Sequence, residues 1–334
     1  MEAALLAGSR IGRYFGLVSV VPSALFVAFV YSLVRSGAWT GRPHLAAIDI
    51  SVEQASLLLL LVLALSLLLH PLQFPLIQLL EGYWGTSRAA RWLAGTRIRH
   101  HRARSVAIGC LADRCAGVLQ AVADHDAERG KIRTLEGDAG IEYVPAIVDR
   151  EAFLRARQAY PEDHERVMPT RLGNVLRRHE DLAGAQYGLK AITVGPHLAL
   201  LAEPRRAAYL NDAREELDLT VRLCGLSMLA SGVAFAFLVT DGLWLLVAAA
   251  PYLLAYVFYR GSVAAASNYM LALATVIDLD RWELYKQLHL EWPDTTEIER
   301  TRNTELMDLL EFETTPVVSY DHTPGAASSV PERG

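Results

Sequence analysis

Six arginines stand within one short stretch, Arg88, Arg91, Arg97, Arg99, Arg102 and Arg104, with His100 and His101 among them and no acidic residue between Glu81 and Asp113. Guanidinium groups so crowded attract anionic lipid headgroups, by about 1 kcal/mol per basic residue near a membrane surface. A second dense patch runs from Met168 to Glu180. On a helix, Arg171, Asn174 and Arg178 share one side and Arg177 and Glu180 another. Arginine and asparagine in that register suit a phosphate or a partner's carboxylate; the competing reading is salt bridging and helix capping within the domain. His70 is the one ionisable side chain well inside an apolar run, and such a group is a functional candidate by default. It sits beside Pro71, and no carboxylate lies in the other apolar runs. A hydrogen bond lining a kink therefore suits it better than proton relay.

No residue qualifies as catalytic. The chain has no Gly-x-Ser-x-Gly, no Gly-rich phosphate loop ending in Lys-Ser/Thr and no His-Glu-x-x-His. Asp124-His125-Asp126 and His164-Glu165 lack a third ligand at a recognisable spacing, so no metal and no cofactor is expected. Cys110, Cys115 and Cys224 are too few for a disulfide framework and read as reduced, small apolar residues.

These groups are positioned by four apolar runs. Crossing about 30 Å of hydrocarbon takes about 20 helical residues. Phe15 to Val34 supplies them without a charge; Ala55 to Leu69 continues, less purely, to Leu80; Leu223 to Val239 and Leu243 to Tyr259 follow, separated only by Thr240-Asp241-Gly242. The expected fold is mainly α: four transmembrane helices in two antiparallel pairs plus a predominantly helical cytoplasmic domain. Backbone polar groups have no water to bond in hydrocarbon, so the spans must be helices. The first span is too long for a signal peptide and no small-x-small site follows Val34. Pro22, Pro71, Pro75 and Pro251 are the expected kinks. Tyr14, Trp39, Tyr83, Trp84, Trp92 and Trp244 fall near the expected interfaces.

The positive-inside rule orients the layout. The arginine run after the second span, Arg10 and Arg13, Arg222 and Arg260 all fall on one side, which is then the cytoplasm, with both termini; the Arg35–Glu53 loop and the Asp241 turn face outward. The expected segments are 1–80 with the first spans at about 15–34 and 55–80, a cytoplasmic domain at 81–220, a span hairpin at 221–260, a cytoplasmic helical extension at 261–313 and a disordered tail at 314–334.

Segment 81–220 holds 21 Lys/Arg and 20 Asp/Glu, whereas the chain after Arg260 holds 5 and 13. The near-neutral domain argues against nucleic acid as a partner, and the acidic end is a candidate to lie against the basic run, if both are not simply solvated. Leu111, Cys115, Val118, Leu119 and Val122 form one helical apolar stripe. The glycines at 130, 137 and 140 break it, so Lys131–Val148 reads as a hairpin or irregular excursion. Helices are expected over Asp149–Tyr160 and from Pro169-Thr170 to Tyr187-Gly188-Leu189. After Pro196 and Pro204, a long helix should run from Arg205 into the third span. The fourth span should continue to Leu288. Thr296-Glu297-Ile298-Glu299 fits a capping box for a last helix ending near Phe312.

Two stretches, Leu80-Glu81-Gly82-Tyr83-Trp84-Gly85 and Pro169-Thr170-Arg171-Leu172-Gly173-Asn174-Val175-Leu176-Arg177 with Tyr187-Gly188-Leu189 downstream, resemble uncharacterised multi-pass integral membrane proteins of actinobacteria and other bacteria. The resemblance spans about a third of the chain. It implies a multi-pass bacterial inner-membrane protein and brings no catalytic residue with it.

Most polar mass lies on one side and the outer loops are short. That distribution favours a membrane-anchored scaffold, with anionic lipid, a protein partner or a second copy of the chain as its contacts. The alternatives are a membrane-bound enzyme at the cytoplasmic lipid surface, for which the Arg171, Asn174 and Glu180 group is the candidate, and an oligomeric transporter or channel. Against the transporter stands the absence of Asp, Glu, Lys and Arg from the span cores.

Overall fold

Apolar runs and their caps decide where the helices begin. The computed structural model describes residues 15–37, 50–129, 138–311 and 320. The chain is mainly helical, and every named element among the described residues is a helix. Arg10, Arg13, Tyr14, Trp39, the middle of the Arg35–Glu53 loop, the start of Lys131–Val148, the side chains of Val122, Asp124, His125 and Asp126, and segment 314–334 apart from Tyr320 lie outside the described residues.

Four segments are long and apolar enough to cross a membrane: Val18–Arg35, Val52–Leu69, Pro204–Leu238 and Gly242–Gln287. The first begins as a π-helical stretch, Phe15–Val20, and continues as α1 (Val21–Arg35). Pro22 stands where the π-helical stretch passes into the α-helix. Helix α2 (Val52–Leu69) starts at a reciprocal cap: the Ser51 hydroxyl accepts from the Gln54 N–H at 3.3 Å, and Gln54 Oε1 accepts from the Ser51 N–H at 3.3 Å. Ser66 Oγ donates to the Ser19 carbonyl at 3.2 Å, joining α2 to the first segment.

The expected second span does not run unbroken to Leu80. Pro71 has no N–H for the Leu67 carbonyl, so that carbonyl accepts instead from His70 N, and two further three-residue bonds tighten the turn. The chain then restarts as α3 (Gln73–Glu81). Further on come α4 (Arg88–Arg129) and α5 (Asp138–Arg157), which pack together as a helical hairpin. The described part of Lys131–Val148 is thus helical from Asp138. The glycine at 140 lies in the first turn of α5, where it is tolerated, and the hairpin or irregular excursion is not formed there. Helix α6 (Arg171–Leu182) ends earlier than expected, at the left-handed Gly184, and a 3₁₀ turn, Ala185–Tyr187, follows. Helix α7 (Ala191–Leu201) is an element the sequence reading lacked, with Pro196 inside it.

Two helices carry both apolar and charged halves. Helix α8 (Pro204–Leu238) is about 52 Å long at 1.5 Å per residue. Its charges end at Arg222. Helix α9 (Ala249–Gln287) follows a 3₁₀ stretch, Gly242–Ala248, so the fourth segment does not enter as an α-helix at Leu243. Pro251 falls in the first turn of α9, just after the 3₁₀ stretch. Helix α10 (Thr296–Leu310) is capped by Thr295, one residue before the expected Thr296, with the Thr295 hydroxyl accepting from Ile298 N at 3.3 Å.

By packing, the chain divides into two compact units: residues 1–178 with 214–267, and residues 179–213 with 268–334. The residues of α8 and α9 are shared between them.

In the first unit α3 is gripped along its length. At its start, Gln73 Nε2 donates to the Asp218 carbonyl and carboxylate at 3.0 and 3.2 Å, and Gln73 Oε1 accepts from Arg222 Nε at 2.9 Å. Arg222 is 1% exposed, so this amide helps a buried guanidinium find its bonds. At its end, Gly82 adopts φ +110°, and a Cβ there would overlap Pro169 Cγ. A Cβ on Gly173 would overlap the Glu81 carbonyl oxygen. That carbonyl accepts from Thr170 Oγ1 at 2.7 Å, and Thr170 Oγ1 in turn accepts from Gly173 N at 3.0 Å, capping α6.

The second unit closes around buried polar pairs. Glu299, 2% exposed, accepts from Arg281 Nε at 2.7 Å. The Arg281 guanidinium also lies 4.0 Å over the Tyr187 ring. Buried Asn303 accepts from the Tyr285 hydroxyl at 2.7 Å and donates to the Tyr187 carbonyl at 2.8 Å. Gly188 meets α10 closely, since a Cβ on it would stand 2.5 Å from the Arg300 carbonyl oxygen.

Gly173→Ala is expected to cost about 2–3 kcal/mol through overpacking against backbone that cannot yield, whereas Gly95→Ala, which faces open space in mid-helix, should be neutral or gain up to about 1 kcal/mol. Thermal unfolding of both variants in detergent checks the contrast. Arg281→Ala should cost about 3 kcal/mol by leaving a buried carboxylate unpaired, and Glu299→Gln should cost less; denaturant midpoints on the two variants decide it.

Candidate functional site

Residues 80–85 and 169–177, far apart in sequence, meet in space at the α3–α6 contact, and the polar patch of α6 grows from it. Asn174, 0% exposed, is consumed by structure. Its Oδ1 accepts from Met168 N at 2.8 Å, and its Nδ2 donates to the Met168 and Thr170 carbonyls at 2.9 and 2.6 Å. The first amides of α6, of Arg171 and Leu172, donate to the Tyr259 hydroxyl at 3.1 and 3.4 Å. A distant tyrosine thus satisfies helix-end donors that would otherwise be orphaned. Arg177 donates to the Tyr83 hydroxyl. Arg178 Nη1 donates to the Tyr160 carbonyl at 3.0 Å, and its Nη2 lies 3.8 Å from Glu162. Glu180 is half-buried near the end of the helix and belongs to the second unit. Of this patch, Arg171 alone has a guanidinium with no bond to a described residue.

Helix α4 carries the basic run. Arg88, Arg91, Arg97, Arg99, Arg102 and Arg104 are all exposed. Arg102 reaches the Glu165 carbonyl at 3.4 Å. The buried face of α4 is not the expected stripe: Leu111 and Val118 are exposed, while His101, Ser105, Ile108 and Ala112 are buried at i, i+4, i+7 and i+11. Small side chains let a packing helix approach closely, and here they outrank the larger apolar ones.

His101 is the residue that sequence reasoning missed. It is 2% exposed, and its Nδ1 lies 3.1 Å from the Tyr160 hydroxyl. Its Nε2 has no partner among the described residues. With the hydroxyl donating to Nδ1, the ring proton sits on Nε2 as a buried N–H without an acceptor, an arrangement that costs about 1–3 kcal/mol. Burial first, then the charges of Arg97, His100, Arg104 and Arg171, push the imidazole down to about 4. Burial likewise raises Tyr160, against the pull of Arg104, Arg171 and Arg97. The signal in the sequence was the Arg97, His101, Arg104 spacing, which places one histidine between two arginines on a single helical face.

His70 is exposed at the end of α2, and its ring makes no hydrogen bond to a described residue. Arg222, read from sequence only as a topology-setting flank, lies instead in the buried Gln73–Asp218 group. No three His, Cys, Asp or Glu side chains among the described residues could hold a metal together. Five acidic residues of 261–313 form ion pairs within the second unit: Asp280 with Arg206, Glu283 with Lys286, Glu291 with Arg302, Glu299 with Arg281 and Glu311 with Lys190. Hydrogen bonds from Lys190 and Thr193 hold the Glu311 carboxyl below its usual range.

The His101 shift sets a pH dependence. The folded chain keeps the imidazole neutral down to about pH 4, whereas an unperturbed histidine takes its proton near 6.5. Between those values the unfolded state binds more protons, so stability falls as pH is lowered from 6.5 through 4, with a slope approaching about 1.4 kcal/mol per pH unit. His101→Phe should remove that component. Denaturant unfolding of both proteins across this window is the check, and equal slopes would refute the assignment.

No family model, curated protein or solved structure matches this chain, so the residues above carry the functional reading alone.

Proposed function

We propose that the protein is a multi-pass bacterial inner-membrane scaffold that holds helical units in the cytoplasm, with both termini on that side. The observation that carries this reading is the composition of α8 and α9. Each is a single unbroken helix with one apolar, charge-free part and one part rich in ionisable residues. A helix so divided lodges its apolar part in hydrocarbon and delivers the rest to water. The four apolar segments then form two antiparallel pairs. Ser66 to Ser19 joins the first pair, and Ser231 Oγ, donating to the Ala248 carbonyl at 2.9 Å, joins the second. Leu33, Ala234, Leu238 and Ala248 add an apolar cluster common to three of the segments.

The arginine run on α4 gives the orientation, because basic residues flanking spans remain on the cytoplasmic side. It also supplies attraction to anionic lipid at that surface. The partner of the scaffold is a protein, or a second copy of the chain, engaged by the segment after Arg260.

Two measurements test this. With Cys110, Cys115 and Cys224 replaced by alanine, Gly117→Cys should react with an impermeant maleimide only after permeabilisation, and Gly242→Cys should react in intact cells. Labelling of Gly117→Cys in intact cells would invert the topology. For the scaffold role, a photo-crosslinking residue placed at exposed positions of α10 in the full chain should give a discrete higher-mass adduct in membranes. Absence of any adduct from every such position would remove that role.

A further inference from the structure

Arg97, His101 and Arg104 occupy i, i+4 and i+7 on α4 and so share one helical face. Arg171, the first residue of α6, is close enough to act on the rings of both His101 and Tyr160, as are Arg97 and Arg104. None of these three guanidiniums pairs with a carboxylate among the described residues. Their neighbours are spoken for: Arg102 by the Glu165 carbonyl, Arg178 by the Tyr160 carbonyl and Glu162, Arg177 by Tyr83.

The middle of this group is a buried imidazole whose Nε2 bonds nothing. With the Tyr160 hydroxyl donating to Nδ1, Nε2 carries the ring proton, and three like charges beside that unaccepted donor form an incomplete arrangement. A tetrahedral oxyanion completes it, because its oxygens accept from several guanidinium forks and from the imidazole N–H together. A cation or a neutral ligand would leave the repulsion in place.

We propose that Arg97, Arg104, Arg171 and the Nε2–H of His101 form a binding site for a phosphate group, either of an acidic lipid headgroup or of free inorganic phosphate. Tyr160 fixes the imidazole so that its proton faces the anion. Arg97 and Arg104 flank His101 along α4, and Arg171 stands at the start of α6. The lipid source is favoured by the lead-in to α4: Trp92, 70% exposed, stands among Arg88, Arg91 and Arg97, the mixture of amphipathic ring and cation that suits a membrane surface. The site is distinct from the partner-binding role proposed for the segment after Arg260.

The test uses the full chain in maltoside micelles, which contain no phosphate, with ¹⁵N-labelled histidine. One arm adds inorganic phosphate and the other adds phosphatidylglycerol; the His101 ring resonances are followed across pH. A bound anion should move the His101 titration midpoint up by about one to three pH units in a saturable way. Arg97→Gln, Arg104→Gln and Arg171→Gln should each weaken binding roughly tenfold, the loss of one charge-assisted bond, while Arg114→Gln, exposed on α4 outside the basic run, should leave it within about twofold. These are exposed or half-exposed side chains, and the wild-type titration stands independently of them. Movement with phosphatidylglycerol only assigns the lipid source, movement with inorganic phosphate only assigns the free anion, and movement with both supports the site for either. No movement in either arm, or an Arg114→Gln loss equal to that of Arg97→Gln, would overturn the proposal.

Discussion

The close approach of two backbones, Glu81-Gly82 against Pro169 to Gly173, is the constraint on which the first unit depends. Neither glycine has room for a side chain, and the Glu81 carbonyl, which ends α3, is bonded by the same threonine hydroxyl that begins α6. A nine-residue helix following a proline break is too short to hold its shape alone. It is held instead by α6 at its end and by the Asp218–Arg222 stretch of α8 at its start. At the α6 contact the polar bond runs from side chain to backbone, and at the α8 contact Gln73 bonds both the backbone and two side chains, which fixes orientation as apolar packing would not.

From that contact the rest of the basic face follows. Placing α6 beside α3 puts Arg171 near the His101–Tyr160 pair, and lets Arg177 and Arg178 find Tyr83 and Tyr160. The patch that looked uniform in sequence is thereby sorted. Asn174, Arg177 and Arg178 build the fold, while the Arg171 guanidinium bonds none of the described residues. The same sorting separates the two roles proposed for the molecule: a basic surface that meets an anion, and an acidic second unit in which Asp280, Glu283, Glu291, Glu299 and Glu311 form ion pairs.

How far the sequence could be read depends on the kind of signal. Long charge-free runs gave the apolar helices, because hydrocarbon length and backbone desolvation leave few alternatives. The continuation of α8 and α9 past the apolar part was legible for a related reason: no proline or glycine pair interrupts the residues concerned. Prolines misled where position within a helix mattered. Pro196, in sequence only a landmark before the long helix from Arg205, lies inside α7, while Pro22 and Pro251, read as kinks, stand where a π-helical and a 3₁₀ stretch pass into α-helix. The buried face of α4 was hidden because Ser105, Ala112 and His101 are not apolar markers. Tyr259 capping α6 from 87 residues away along the chain, and Gln73 bridging Asp218 to Arg222, depend on tertiary placement that no local spacing encodes.

The dependence of the first unit on the α3–α6 contact is most directly tested by native-state hydrogen exchange on the full chain in lipid nanodiscs. The Gly173 and Asn174 amides, bonded to Thr170, and the Gly82 and Tyr83 amides, bonded to Gln78, should be protected to the same free energy and should open together. If the α6 amides stay protected while those of the α3 end exchange freely, the two elements are independent and the account fails.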